Sequence, residues 1–70
     1  MDKVYIDDDG CRVFLSQWIG YTGWFTVRLK PGESEPQRII SAKLLTRKTK
    51  EQAQADLDAY AEEKNWRMNE

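Results

Sequence analysis

The densest run of chemistry-bearing side chains is "DDDG", Asp7 to Gly10, and three consecutive carboxylates beside a glycine suggest a cation loop. The spacing does not support one. Aligning Gly10 with the glycine of an EF-hand loop puts Tyr5 at the first ligand position and Ser16 at the last, where carboxylates are required. A tight acidic turn is the expectation. The chain has no histidine, and its single cysteine, Cys11, excludes an intrachain disulfide and reads as a small core residue. A zinc site would need one thiol and carboxylates, a poor donor set. General acid–base work would fall to carboxylates, lysine or tyrosine in a pocket. Here the carboxylates lie in a turn, a loop and the polar side of a helix. "GYTG" lacks the lysine and the spacing of a phosphate loop. The expectation is a non-enzyme without metal or cofactor.

A second constellation suits binding rather than catalysis. Read as a strand, "GWFTVRLK" (23–30) places Phe25, Val27 and Leu29 on one face and Trp24, Thr26, Arg28 and Lys30 on the other. The first face belongs in a core. The second interleaves an indole with cations, which suits gripping a phosphate backbone and leaning on bases or sugars. With Arg12 and Phe14 from the preceding strand and Arg38 from the following one, it would form an open basic and aromatic surface. Lys43, Arg47 and Lys48, just before a helix, would extend that field, and the helix N-terminus would add amide donors. Duplex DNA is the expected partner. Arginine and lysine are also ordinary on the wet side of an antiparallel sheet. The alternative is a protein-interaction module, a homodimer or an inhibitor of another protein, anchored by Phe14 and Trp24.

The elements that must position these groups follow from turn signals and period. "KVYI" (3–6) is a short extended candidate, and "CRVFLS" (11–16) alternates as a strand. "WIGYTG" (18–23) is a glycine-bearing loop. "KPGE" (30–33) is a turn, and "QRIIS" (37–41) is the returning strand. "AKLLTRK" (42–48) connects to a helix over 49–66 with Thr49 as N-cap, Gln52 three residues on and Asn65 at the left-handed end. The expected fold is α+β, a single domain over 1–70: three antiparallel strands, four if 3–6 joins, packed on one C-terminal helix. The expected core is Val13, Leu15, Phe25, Val27, Leu29, Ile39 or Ile40, Ala53, Leu57, Tyr60, Ala61 and Trp66.

With 70 residues, the chain is near the lower limit for a self-sufficient core. Its net charge of −1 hides a segregated pattern. Residues 28–50 carry seven cations against two carboxylates, whereas 51–70 carry two against six. A polar molecule with one anion-facing side is implied. The opening "MDKVYIDDDG" is acidic where a secretory leader would be basic and apolar. A cytoplasmic, reduced protein without membrane contact is expected.

Over about residues 12–66, "GWFTVRLK", "QRIIS" and "TRKTKEQAQADLDAYAEE" resemble the N-terminal arm-binding domains of phage and transposon tyrosine recombinases. In that family a three-stranded sheet enters the DNA major groove. The resemblance implies that Trp24, Thr26, Arg28, Lys30 and Arg38 are the contact residues here. The size and style also resemble small proteins of prophages and conjugative elements, which implies a mobile-element origin.

Overall fold

A computed structural model describes residues 3–17, 20 and 22–69. Its elements are β1 (Val4–Ile6), β2 (Arg12–Ser16), β3 (Phe25–Leu29), β4 (Gln37–Arg38), α1 (Lys50–Lys64) and β5 (Arg67–Asn69). The five strands form one antiparallel sheet in the order β4-β3-β2-β1-β5, and α1 packs on one of its faces. The fold is α+β as expected, with five strands where the sequence reading gives three or four. Residues 3–6 do join the sheet, as β1. The loop expected over 18–23 falls partly outside the described residues, which omit 18, 19 and 21.

Local chemistry builds the turns. Between β1 and β2, the Asp7 carboxylate accepts the amides of Asp9 at 2.9 Å and Cys11 at 2.8 Å, closing an Asx-type turn. After β3, the Glu33 amide donates to the Lys30 carbonyl at 3.1 Å, and Gly32 takes φ 82°, a value that suits glycine. The expected strand over 37–41 shortens to Gln37–Arg38. Beyond it Ile39 packs on the core, while Ile40 is 93% exposed, which settles the choice between the two isoleucines.

The helix starts as its capping pattern predicts. Thr49 is extended, and its hydroxyl accepts the Gln52 amide at 3.2 Å. At the other end Asn65 takes φ 59°, and its amide and that of Trp66 satisfy carbonyls of the last turn. That reversal also explains β5, which the sequence reading lacks. The left-handed residue turns the chain back along β1, whose outer edge would otherwise hold unpaired backbone groups. β5 pairs there with Val4 opposite Asn69 and Ile6 opposite Arg67.

The core lies between α1 and one side of the sheet: Tyr5, Val13, Leu15, Leu44, Ala53, Leu57 and Ala61, with Trp24, Ile39, Tyr60 and Trp66 packed around them. Ala53 and Ala61 sit one turn either side of Leu57, so small side chains let the helix approach while Leu57 fills the gap. Tyr5 and Leu44 are additions to the expected core. Of the expected members, Phe25 and Val27 are buried and Leu29 half-buried, but the register places them on the other side of the sheet from this cluster.

Candidate binding face of the sheet

Cross-strand partners in an antiparallel ladder project from the same face. β2 pairs with β3 so that Val13 faces Arg28, Leu15 faces Thr26, Phe14 faces Val27, Ser16 faces Phe25 and Arg12 faces Leu29. Since Val13 and Leu15 lie under α1, so do Thr26 and Arg28, and Trp24 follows by alternation. This reverses the sequence expectation for β3. The residues expected outside are on the helix side, and the residues expected inside are on the face away from it.

The structure accounts for each displaced residue. Trp24 is half-buried against the core, with the Lys50 ammonium 5.6 Å from its ring centroid. Its amide donates to the Arg47 carbonyl at 2.6 Å, and the Arg47 amide donates back at 2.9 Å. Thr26 is 3% exposed. Arg28 donates from Nε to Asp7 at 2.6 Å and from Nη2 to Asp9 at 2.8 Å. Burial alone would raise the Asp7 carboxyl. The Arg28 hydrogen bond and the amides of Cys11 and Asp9 outweigh it and hold the group below the usual carboxylate range. The acidic turn is therefore a receptor for Arg28, and these groups do not form the expected DNA contact face.

The pre-helix cations are largely committed as well. Lys43 donates to Glu63 at 2.8 Å and Arg47 to Asp56 at 2.7 Å, each a tie from the connector to α1. Lys48 is exposed. Lys30, past the end of β3, lines a cleft of about 430 Å³ with Tyr60, Lys64 and Trp66. Four carboxylates and four cations line that cleft, so it offers a polyanion no net attraction.

The face away from α1 differs. Its residues are Val4 and Ile6 from β1, Arg12, Phe14 and Ser16 from β2, Phe25, Val27 and Leu29 from β3, Arg38 from β4 and Arg67 from β5. No described strand residue on it is acidic. Two cross-strand rows organise its cations. Arg67 pairs with Ile6, Ile6 with Arg12 and Arg12 with Leu29. In the neighbouring row Phe14 pairs with Val27 and Val27 with Arg38. Arg12 and Arg67 are exposed, and Phe14, Ile6 and Leu29 are half-buried. Arg38 lies over Phe25, 5.4 Å from its ring centroid, and donates to the Thr46 hydroxyl at 2.5 Å. Phe25 and Val27 are 5% and 4% exposed, so the accessible area is the part around Phe14, Arg12 and Arg67.

Of the sequence-predicted binding residues, the structure brings Arg12, Phe14 and Arg38 to one face and Trp24, Thr26 and Arg28 to the other, while Lys30, past the end of β3, lines one groove with Arg12 and a cleft with Arg28 and Arg38. Arg67 is the residue the sequence reading omits. Its only signal is the alternation in "WRMN", where Arg67 opposes Trp66 and Met68. Among the described residues, no helix is long and apolar enough to cross a membrane. The class that fold and site define is a small α+β domain with one helix-covered and one arginine-bearing sheet face. Comparison with known protein families, curated proteins and solved structures finds no match to this chain.

Proposed function

We propose that this chain is a non-enzymatic nucleic-acid-binding module whose contact surface is the sheet face away from the helix. The observation that carries the reading is the charge of that face: Arg12, Arg38 and Arg67 stand among apolar strand residues, no described strand residue there is acidic, and none of the three forms an ion pair among the described residues. The acidic helix, with Glu51, Asp58 and Glu62, packs against the opposite side of the sheet. A polyanion approaching the open face therefore meets guanidinium groups first. Arginine suits the task because its planar donors match phosphate oxygens. The resemblance to recombinase arm-binding domains favours the same class of partner and an accessory role in a mobile element, with the contact residues changed.

The attraction is mostly to phosphate, so binding is micromolar or weaker and falls with salt. The test is fluorescence anisotropy with labelled oligonucleotides over about 50 to 200 mM salt. Two or three phosphate contacts give a log–log slope of about −1.8 to −2.7 on duplex and about −1.4 to −2.1 on a single strand. Arg12→Ala and Arg67→Ala each reduce that slope by about 1, and Arg28→Ala leaves it unchanged. Absence of binding at the lowest ionic strength refutes the reading.

A protein-interaction role is favoured by one observation. Ile40 is 93% exposed and Leu45 is 52% exposed, both in the segment between β4 and α1. Such side chains are ordinary when scattered singly; the two here stand five residues apart in one segment, and it is as a pair that they offer a contact to a second copy. Sedimentation over a wide concentration range tests self-association. A dimer that Ile40→Ser disperses supports this second reading, and a monomer throughout removes the homodimer.

A further inference from the structure

We infer that the nucleic acid this face takes is a single strand laid across the sheet, with one base stacked on Phe14. The inference rests on the nucleic-acid reading and specifies its ligand.

The first argument is breadth. A five-stranded sheet contains four interstrand gaps of about 4.8 Å, so the face is about 19 Å across. The major groove of B-form DNA is about 12 Å wide and admits a helix or a two-stranded ribbon. This sheet cannot present its flat face to base edges inside that groove.

The second argument is the placement of the ring. Phe14 lies on β2, the central strand of the five, and is half-buried, so part of the side chain meets solvent. Two arginines stand near it at set offsets. Arg12 is two residues along the same strand, about 7 Å away. Arg38, in the Phe14 row beyond the buried Val27, is turned to the Phe25 ring and the Thr46 hydroxyl and lies outside this accessible part. Arg67 is two strands away from Arg12 in the adjoining row. An aromatic platform with a row of cations beside it, here Arg12 and Arg67, is the arrangement that receives an unpaired base and its flanking phosphates. In a duplex the base faces are occupied by stacking and unavailable to Phe14.

The apolar neighbours agree with this geometry. Ile6 and Leu29 flank Arg12 in its row and give sugar and base edges a surface without competing charge. A contact made to duplex phosphates alone would leave Phe14 idle.

The test compares a labelled single-stranded DNA oligonucleotide with its duplex of equal length, by anisotropy at matched low salt. The expected result is at least about tenfold tighter binding of the single strand. Phe14→Leu, which keeps an apolar strand residue, weakens single-strand binding about tenfold or more without altering the salt slope. Phe14→Trp preserves binding, and thermal unfolding verifies that each variant is folded. Equal or tighter duplex binding overturns the inference and leaves the broader reading standing. So does Phe14→Leu binding the single strand as the parent does. Failure of both nucleic acids to bind at low salt removes both.

Discussion

Arg28 lies opposite Val13 in the β2–β3 ladder, so its guanidinium leaves the sheet on the helix side and meets the Asp7 carboxylate at 2.6 Å. The pairing joins the middle of the sheet to the β1–β2 turn. It also fixes which side of β3 faces α1. A slip of one residue would send Arg28 to the other face and leave Asp7, 7% exposed, without its cation.

Arg28→Ala is therefore a stability variant and not a binding variant. Asp7 keeps two backbone donors, so the expected loss is about 1–2 kcal/mol, the low end for a buried acceptor deprived of a partner. Urea unfolding followed by tryptophan fluorescence measures it. A variant as stable as the parent contradicts the structural role given to the pair.

The pH dependence follows from two carboxylates. Asp7 is held low as described. For Asp58 burial raises the carboxyl, and hydrogen bonds from Tyr5, Gln54 and Lys3 outweigh it. A carboxylate depressed in the fold contributes stability that is complete above its unfolded pKa, about 4, and is lost as pH falls through the folded value. The thermal midpoint is expected to hold level from about pH 8 to 5 and to drop below about 4. Asp7→Asn flattens that acid limb. A midpoint already falling between pH 7 and 5 speaks against it.

The alkaline limb belongs to Tyr5. Burial first, then the hydrogen bond to Asp58 and its charge, push the hydroxyl up to about 12. Its hydroxyl donates to Asp58 at 2.6 Å. A tyrosine raised in the fold contributes stability that is complete below about pH 10 and is lost as pH rises through the folded pKa. Tyr5→Phe should remove this limb. Its persistence in that variant would assign the limb to another group.

Leu57 is fully buried between helix and sheet, and Leu57→Ala is expected to cost about 2–5 kcal/mol. A domain of this size holds only about 3–5 kcal/mol in all, so the variant should be largely unfolded at 37 °C. Circular dichroism decides the matter. Retained cooperative unfolding near the parent midpoint would mean that the core does not depend on this contact.

Arg12→Ala and Arg67→Ala should each change stability by less than about 0.5 kcal/mol, because both side chains are exposed and form no ion pair among the described residues. Matching denaturation curves for parent and variants verify this. A loss above 1 kcal/mol would show that the two arginines support the sheet, and any binding defect would need reinterpretation.

The elements were legible in the residues themselves. The helix bounds follow from Thr49, Gln52 and Asn65, because caps are local chemistry. The turns follow from Asp7, Gly10 and Gly32 for the same reason, and the apolar stripe of Ala53, Leu57 and Ala61 follows from helical period. Alternation determined that Phe25, Val27 and Leu29 share one face and Trp24, Thr26 and Arg28 the other. It could not determine which set lies beneath the helix. That choice depends on the offset between β2 and β3, a non-local quantity set by Val13 meeting Arg28 and by the Asp7 turn that receives the guanidinium. β5 was equally beyond local reading, since Arg67–Asn69 is a strand only because β1 offers it an edge. The candidate face is a product of those two tertiary decisions: one brings Phe14 and Arg12 out with Leu29, and the other adds Arg67.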